Sequence, residues 1–165
     1  MYSATYQSPI GALCLIFRDG KLINLSFSRE IAAEWMQSVF KEALPDEQPL
    51  PAKFERDLAS YFRGQRTPLD WEVELIGTEF QKRVWEALRQ IPYGKTVTYK
   101  EIGEKCGCRG YRAVGRAVGA NPIAIIVPCH RVVGAAGLGG FSGGLNIKRF
   151  LLELEGAFTP PLHHA

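Results

Sequence analysis

The sequence has no uninterrupted apolar run near the roughly 20 residues that a membrane-spanning helix needs. Its first residues, Met1-Tyr2-Ser3-Ala4-Thr5-Tyr6, have neither the basic start nor the apolar stretch of a secretory signal. These absences argue against a membrane protein and predict a soluble, cytoplasmic one, in which thiols stay reduced. The four cysteines, Cys14, Cys106, Cys108 and Cys129, are accordingly expected to be free. Histidine is scarce. Two of the three lie in the C-terminal tail, so His130 is the one imidazole in the body of the chain. Metal-ligand spacings are missing as well: Cys106-Gly107-Cys108 is too tight for an ordinary zinc pair and no second pair follows. No metal and no other cofactor is expected, and the chain contains no internal repeat or low-complexity tract.

What is present is the balance of a globular protein. In 165 residues, 46% hydrophobic and 22% charged, there is room for one ordinary domain or two small ones. The net charge of +3 is unevenly spread: residues 1–76 hold 8 Lys/Arg against 11 Asp/Glu, and residues 77–165 hold 12 against 6. Lys95, Lys100, Lys105, Arg109, Arg112, Arg116 and Arg131 cluster in 95–131 beside only Glu101 and Glu104. A basic half points to a polyanionic partner, although a solvated charged face has the same composition.

The spacing of apolar residues predicts strands over 12–17 and 22–27, joined by an Asp19-Gly20 hairpin turn. Helices are expected over 31–43 and 54–62, separated by a proline-rich break, and 69–75 alternates like a strand with one wet face. A boundary is expected near Gly77, giving a small mixed α/β domain over 1–76 and a mainly helical domain over 77–156. Thr78-Glu79-Phe80-Gln81 and Thr98-Tyr99-Lys100-Glu101 read as capping boxes that open two helices, and a third follows over 112–120. Two short helices joined by a glycine-containing turn make a helix-turn-helix, which often serves DNA binding but also occurs as a plain helical hairpin. Residues 123–127 form a continuous apolar run, expected to be a buried strand. A glycine-rich loop follows over 134–144, then a last helix over 145–155 with Ile147, Phe150, Leu151 and Leu154 inward, and a frayed tail over 157–165.

Cys129 ends the buried run, stopped by Pro128, and stands before His130, Arg131 and the glycine loop. The thiolate, not the thiol, is the nucleophile, and a neighbouring imidazole can take the proton. A carboxylate can hold that imidazole in one tautomer, and Glu153 and Glu155 are both candidates. A Cys-His dipeptide alone is a weak signal, because most buried free cysteines are small core residues. Strand end, proline, basic neighbour and glycine loop together favour chemistry.

At Ile126-Val127-Pro128-Cys129-His130-Arg131-Val132-Val133 the chain resembles the O6-alkylguanine-DNA alkyltransferases. The resemblance runs from about 78 to 156 through Ile91-Pro92-Tyr93-Gly94, Arg112-Ala113-Val114-Gly115, Asn121-Pro122 and Ser142-Gly143-Gly144, and Ser8-Pro9-Ile10-Gly11 resembles the family's start. It implies a ribonuclease-H-like α/β domain, then a helical domain whose helix-turn-helix enters the minor groove. It also implies a base flipped into a pocket, and a monomer acting on double-stranded DNA that contains alkylated guanine. By this likeness Cys129 accepts the alkyl group irreversibly, once per molecule. His130 is then the base, acting through water, Glu155 its orienting carboxylate, Tyr99 a donor to the leaving guanine, and Asn121 a brace. Arg112 fills the gap left by the base, with Tyr99, Ala113, Arg116 and Arg131 also meeting DNA. Val132, Phe141, Ser142, Gly143 and Val118 line the substrate pocket, where the carbonyls of Cys129 and Val132 and the amide of Ser142 read the guanine edge. O4-alkylthymine is left open as a second substrate.

Three positions depart from the family pattern. Phe141 stands where Tyr is frequent, the loop over 134–140 is one residue shorter, and Tyr111 precedes Arg112 where a small residue is usual. Plainer roles remain open for several residues: core packing for Tyr99, a phosphate contact for Arg112, a helix stop for Asn121, an ion pair with Lys148 or Arg149 for Glu155. Competing functions are a non-catalytic alkylguanine-binding protein like the alkyltransferase-like proteins, a helix-turn-helix regulator, and a thiol hydrolase. The first lacks an acceptor cysteine, the second needs none, and the third turns over.

Overall fold

A computed structural model describes residues 1–141 and 143–157. Three antiparallel strands, β1 (Tyr2–Ser8), β2 (Gly11–Arg18) and β3 (Lys21–Ser26), form a meander, with Tyr6 opposite Leu13 and Leu15 opposite Leu25. Asp19 and Gly20, both at positive φ, make the two-residue turn between β2 and β3. Strand β2 is apolar from Ala12 to Phe17 because both its faces are covered there. Leu13, Leu15 and Phe17 enter the main core, while Cys14 and Ile16 pack with Ile23, Ala32 and Met36 on the other side. Ala32 and Met36 belong to α1 (Arg29–Phe40), which is capped by Ser28, and α2 (Ala52–Phe62) packs against β1.

The second half is helical. Helix α3 (Glu79–Arg89) starts at Thr78 with both bonds of a capping box and buries Val84, Trp85 and Leu88. A two-residue strand β4 (Val97–Thr98) leads into α4 (Tyr99–Lys105), and α5 (Tyr111–Gly119) completes the helix-turn-helix. The Trp85 indole donates to the Ala117 carbonyl at 2.8 Å and ties α5 to α3. After a one-turn 3-10 helix (Cys129–Arg131), β5 (Val132–Val133) pairs in parallel with β4, and α6 (Leu145–Leu154) closes the chain. No described helix is long and apolar enough to cross a membrane.

Several expectations need correcting. Strand β1 (Tyr2–Ser8) adds a third strand to the two that the apolar spacing predicts. Residues 69–75 are not a strand. They make a single bridge, Leu22 to Val73, held by two backbone bonds to Leu22, while Trp71 is buried and donates to Asp57 at 2.8 Å. The run 123–127 is buried as expected but is a tight turn, with Ile125 at φ 71° and the Val127 amide bonded back to the Ile123 carbonyl at 2.9 Å. Its start docks on the edge of β3 through Leu25 N to Pro122 O (2.9 Å) and Ala124 N to Leu25 O (3.1 Å), which joins the two halves. At Thr98 the hydroxyl accepts from the Glu101 amide, but the Glu101 carboxylate bonds that hydroxyl rather than the Thr98 amide, so the second capping box is only half made. The expected frayed tail lies outside the described residues from 158 onward.

Candidate active site

Pro128 cannot continue regular structure, and the chain after it coils once so that Cys129, His130 and Arg131 leave one short 3-10 turn in different directions. Cys129 is only 6% exposed, yet it lines a cavity of about 420 Å³ together with Tyr99, Tyr111, Gly115, Val118, Gly119, Gly140 and Phe141. That volume lies within the range of small-ligand pockets, about 300–1,000 Å³. Burial pushes the Cys129 thiol pKa up, and a hydrogen bond from Asn121 and the charge of Lys148 pull it back in part.

His130 has no exposed surface. Its Nε2 lies 2.7 Å from Glu155 Oε2. The same carboxylate accepts from Arg131 Nε (2.8 Å), Arg131 Nη2 (3.1 Å) and the Tyr61 hydroxyl (2.5 Å), and Arg131 Nη1 donates to the Ile91 carbonyl at 2.7 Å. Burial alone raises the Glu155 pKa, but the bonds and charges of His130 and Arg131 outweigh it and hold the carboxyl well below the usual range. Burial lowers the His130 pKa, so the imidazole is neutral at pH 7. A neutral imidazole facing an ionised carboxylate through Nε2 carries its proton there. Nδ1, buried and without a partner among the described residues, is then left as the basic nitrogen.

Asn121 spans the turn before the cysteine, its amide donating to Val127 O at 2.7 Å and its carbonyl oxygen accepting from Ile123 N at 3.0 Å. Tyr99, the first residue of α4, is half-buried on the cavity wall and donates to the Gly140 carbonyl at 3.3 Å. The loop reaches the tyrosine only because Gly139 has φ +75° and no Cβ. A Cβ there would sit 2.9 Å from the Tyr99 ring. Arg112 and Arg116 are exposed on α5, and Ala113 is half-buried beside them.

Not every expected residue is gathered into this cavity. Arg131, expected to meet DNA, is instead largely buried, with its guanidinium held by the Glu155 ion pair and the Ile91 carbonyl. Glu153 is exposed, which leaves Glu155 as the carboxylate partner. Val132 is buried in β5, and Gly143 packs against Phe27 and Phe141 beside the cavity. Ser142 lies outside the described residues. Lys148, in sequence terms only a possible Glu155 partner, does not bond that carboxylate among the described residues. It has no exposed surface, and its ammonium donates to the carbonyls of Leu138 and of Gly140, the latter at 3.0 Å. The buried stripe of α6 is Lys148, Leu151, Leu152 and Glu155, one residue round from the expected face. The i, i+3, i+4, i+7 spacing of that stripe was the available signal, hidden because two of its members are charged. Among the described residues no cluster of three or more His, Cys, Asp or Glu could hold a metal ion.

Two family models match the chain: the 6-O-methylguanine DNA methyltransferase ribonuclease-like domain over residues 1–75, and the 6-O-methylguanine DNA methyltransferase DNA binding domain over 79–157. A methylated-DNA–protein-cysteine methyltransferase of Methanosarcina barkeri is 45% identical over 94% of this chain and 97% of its own length. The protein of that name from Mycobacterium bovis is 46% identical over 94% and 93%. Among solved structures, Mycobacterium tuberculosis OGT in complex with DNA superposes with a TM-score of 0.80 at 45% identity, covering 95% of this chain and 94% of that one. The O6-methylguanine-DNA methyltransferase of Pyrococcus kodakaraensis gives 0.67 at 28% identity, over 93% and 99%.

Proposed function

The chain belongs to the 6-O-methylguanine DNA methyltransferase family, and on that footing we propose that it repairs DNA by moving the alkyl group of O6-alkylguanine irreversibly onto Cys129. The observation that carries this reading is the sulfur itself: it lines an open cavity and is followed by an imidazole locked on a buried carboxylate. A non-reacting alkylguanine binder would have no use for that sulfur.

The reaction begins with His130 Nδ1 taking the Cys129 proton through a water, while Nε2–H stays on Glu155 and Arg131 keeps that carboxylate ionised. The sulfur anion attacks the alkyl carbon. A C–S bond forms, the C–O6 bond breaks, and its electron pair leaves with guanine, which then takes up a proton. Negative charge grows on the departing base, where the Tyr99 hydroxyl on the cavity wall is placed to donate. The product thioether has no good leaving group, so each molecule acts once.

A base inside a duplex cannot reach this cavity, so the alkylguanine is flipped out at a cost of a few kcal/mol, about what unstacking requires. Arg112, exposed on α5 beside the cavity residue Tyr111, is the residue assigned to fill the stack, with Ala113 and Arg116 of the same helix along the groove. The carbonyls of Cys129 and Val132 and the Ser142 amide are assigned to the guanine edge, and Asn121 to bracing the turn. A reduced acceptor thiol fits a cytoplasmic site of action.

Intact-mass measurement after incubation with a duplex containing O6-methylguanine tests the proposal. One added methyl on the peptide holding Cys129, saturating at one per chain, is expected. A chain recovered unmodified while methyl groups leave the DNA would overturn it.

A further inference from the structure

A lysine with no exposed surface is uncommon, because desolvating an ammonium is expensive unless a counter-charge meets it. Lys148 is such a residue, and no carboxylate bonds it among the described residues. Glu155, the buried carboxylate at the end of the same helix, is already taken by His130, Arg131 and Tyr61. A leucine or methionine would fill the same stripe of α6 without a buried charge, so packing does not account for the amine.

Its surroundings belong to the reaction cavity. The ammonium bonds Gly140 O, the same carbonyl that accepts from the Tyr99 hydroxyl, and lies 5.9 Å from the Tyr99 ring centroid. Gly140, Tyr99 and Cys129 all line the cavity. The titratable groups that face Lys148 are therefore Tyr99 from α4, and Cys129 and His130 from the 3-10 turn.

We propose that Lys148 is a positioning residue for alkyl transfer: its buried ammonium is the counter-charge of the Cys129 sulfur anion, and its two carbonyl bonds hold the Leu138–Gly140 wall of the cavity. Burial brings the Lys148 pKa down to about 8, and charge on Cys129 opposes that fall, so the two groups favour each other's ionised form. The anion that attacks the alkyl carbon is thus formed beside a cation that needs it.

This inference rests on Cys129 being the nucleophile, and its test uses no DNA, so failure of methyl transfer and failure of the lysine role are separable. In the full chain, carbamidomethylation of the Cys129 peptide by iodoacetamide is followed by mass spectrometry against pH. Lys148→Met should raise the midpoint by about one unit and slow reaction at pH 7 about tenfold, whereas Lys148→Arg, which keeps the charge, should stay close to the parent. A Met midpoint equal to the parent, or equal shifts for Met and Arg, overturns the proposal. As a reciprocal measurement, 13C NMR titration of the Lys148 side chain should move to lower pH in Cys129→Ala than in the parent. Equal midpoints overturn it even if Lys148→Met fails to fold.

Discussion

Glu155 Oε2 accepts from Tyr61 and faces His130 Nε2, 2.7 Å away, while Arg131 grips both oxygens of the same carboxylate. The His130 imidazole is therefore oriented by a carboxylate whose charge is balanced by the residue next in sequence, Arg131. Removing any one of the three leaves a buried polar or charged group without its partner.

Glu155→Gln should slow alkyl transfer about 10²-fold, because an amide can turn its NH₂ to Nε2 and move the imidazole proton to Nδ1, where the base is needed. The same change leaves the Arg131 guanidinium buried and unbalanced, a destabilisation of about 3–5 kcal/mol. Single-turnover kinetics and urea unfolding check the two effects. A variant as stable and as fast as the parent would show the carboxylate to be dispensable.

Acid should weaken the fold in two windows. The Glu155 pKa is depressed in the folded state, so its stabilisation is complete above the unfolded value of about 4.5 and is lost as pH falls below it. The His130 pKa is lowered from 6.5 by burial, so below about 6.5 the unfolded chain takes up a proton that the folded chain refuses. Both slopes have the same sign: Tm should fall from pH 7 to pH 3, with the part of the fall below about pH 4.5 absent in Glu155→Gln. A Tm that holds steady or rises on acidification contradicts both assignments.

Cys129→Ala should still bind duplex DNA but take no label from a methylated strand. Loss of binding, read by gel shift, would mean that the substitution disturbs the groove-facing helices rather than the chemistry alone.

Arg112→Ala should slow transfer from duplex DNA about tenfold, a fraction of the few kcal/mol that base extrusion requires, and leave reaction with free O6-benzylguanine nearly unchanged. Equal slowing on both substrates removes the stack-filling role.

The local features were legible because neighbouring residues decide them. Asp19-Gly20 specified its hairpin turn, and Thr78 and Gln81 closed a full capping box. The errors fell where a local pattern was overruled by what packed against it. Residues 123–127 have the composition of a buried strand, but Asn121 folds the segment into a turn whose first peptides are satisfied by β3. Residues 69–75 alternate like a strand yet meet β3 at a single bridge.

By itself the sequence determined the hairpin turn at Asp19-Gly20, the capped start of α3, the adjacency of Cys129 and His130, and the charge division between the halves. All of these are properties of composition or of spacings within one or two turns. Only the tertiary structure decided that Glu155 rather than Glu153 meets the imidazole, and that Tyr61, 94 residues away in sequence, shares that carboxylate. It also decided that Arg131 points inward and that Lys148 is buried behind the cavity wall. The reason is that a charge can be buried only where partners from other elements converge, and the docking of α6 against the rest of the core sets that convergence, not the residues beside the charge.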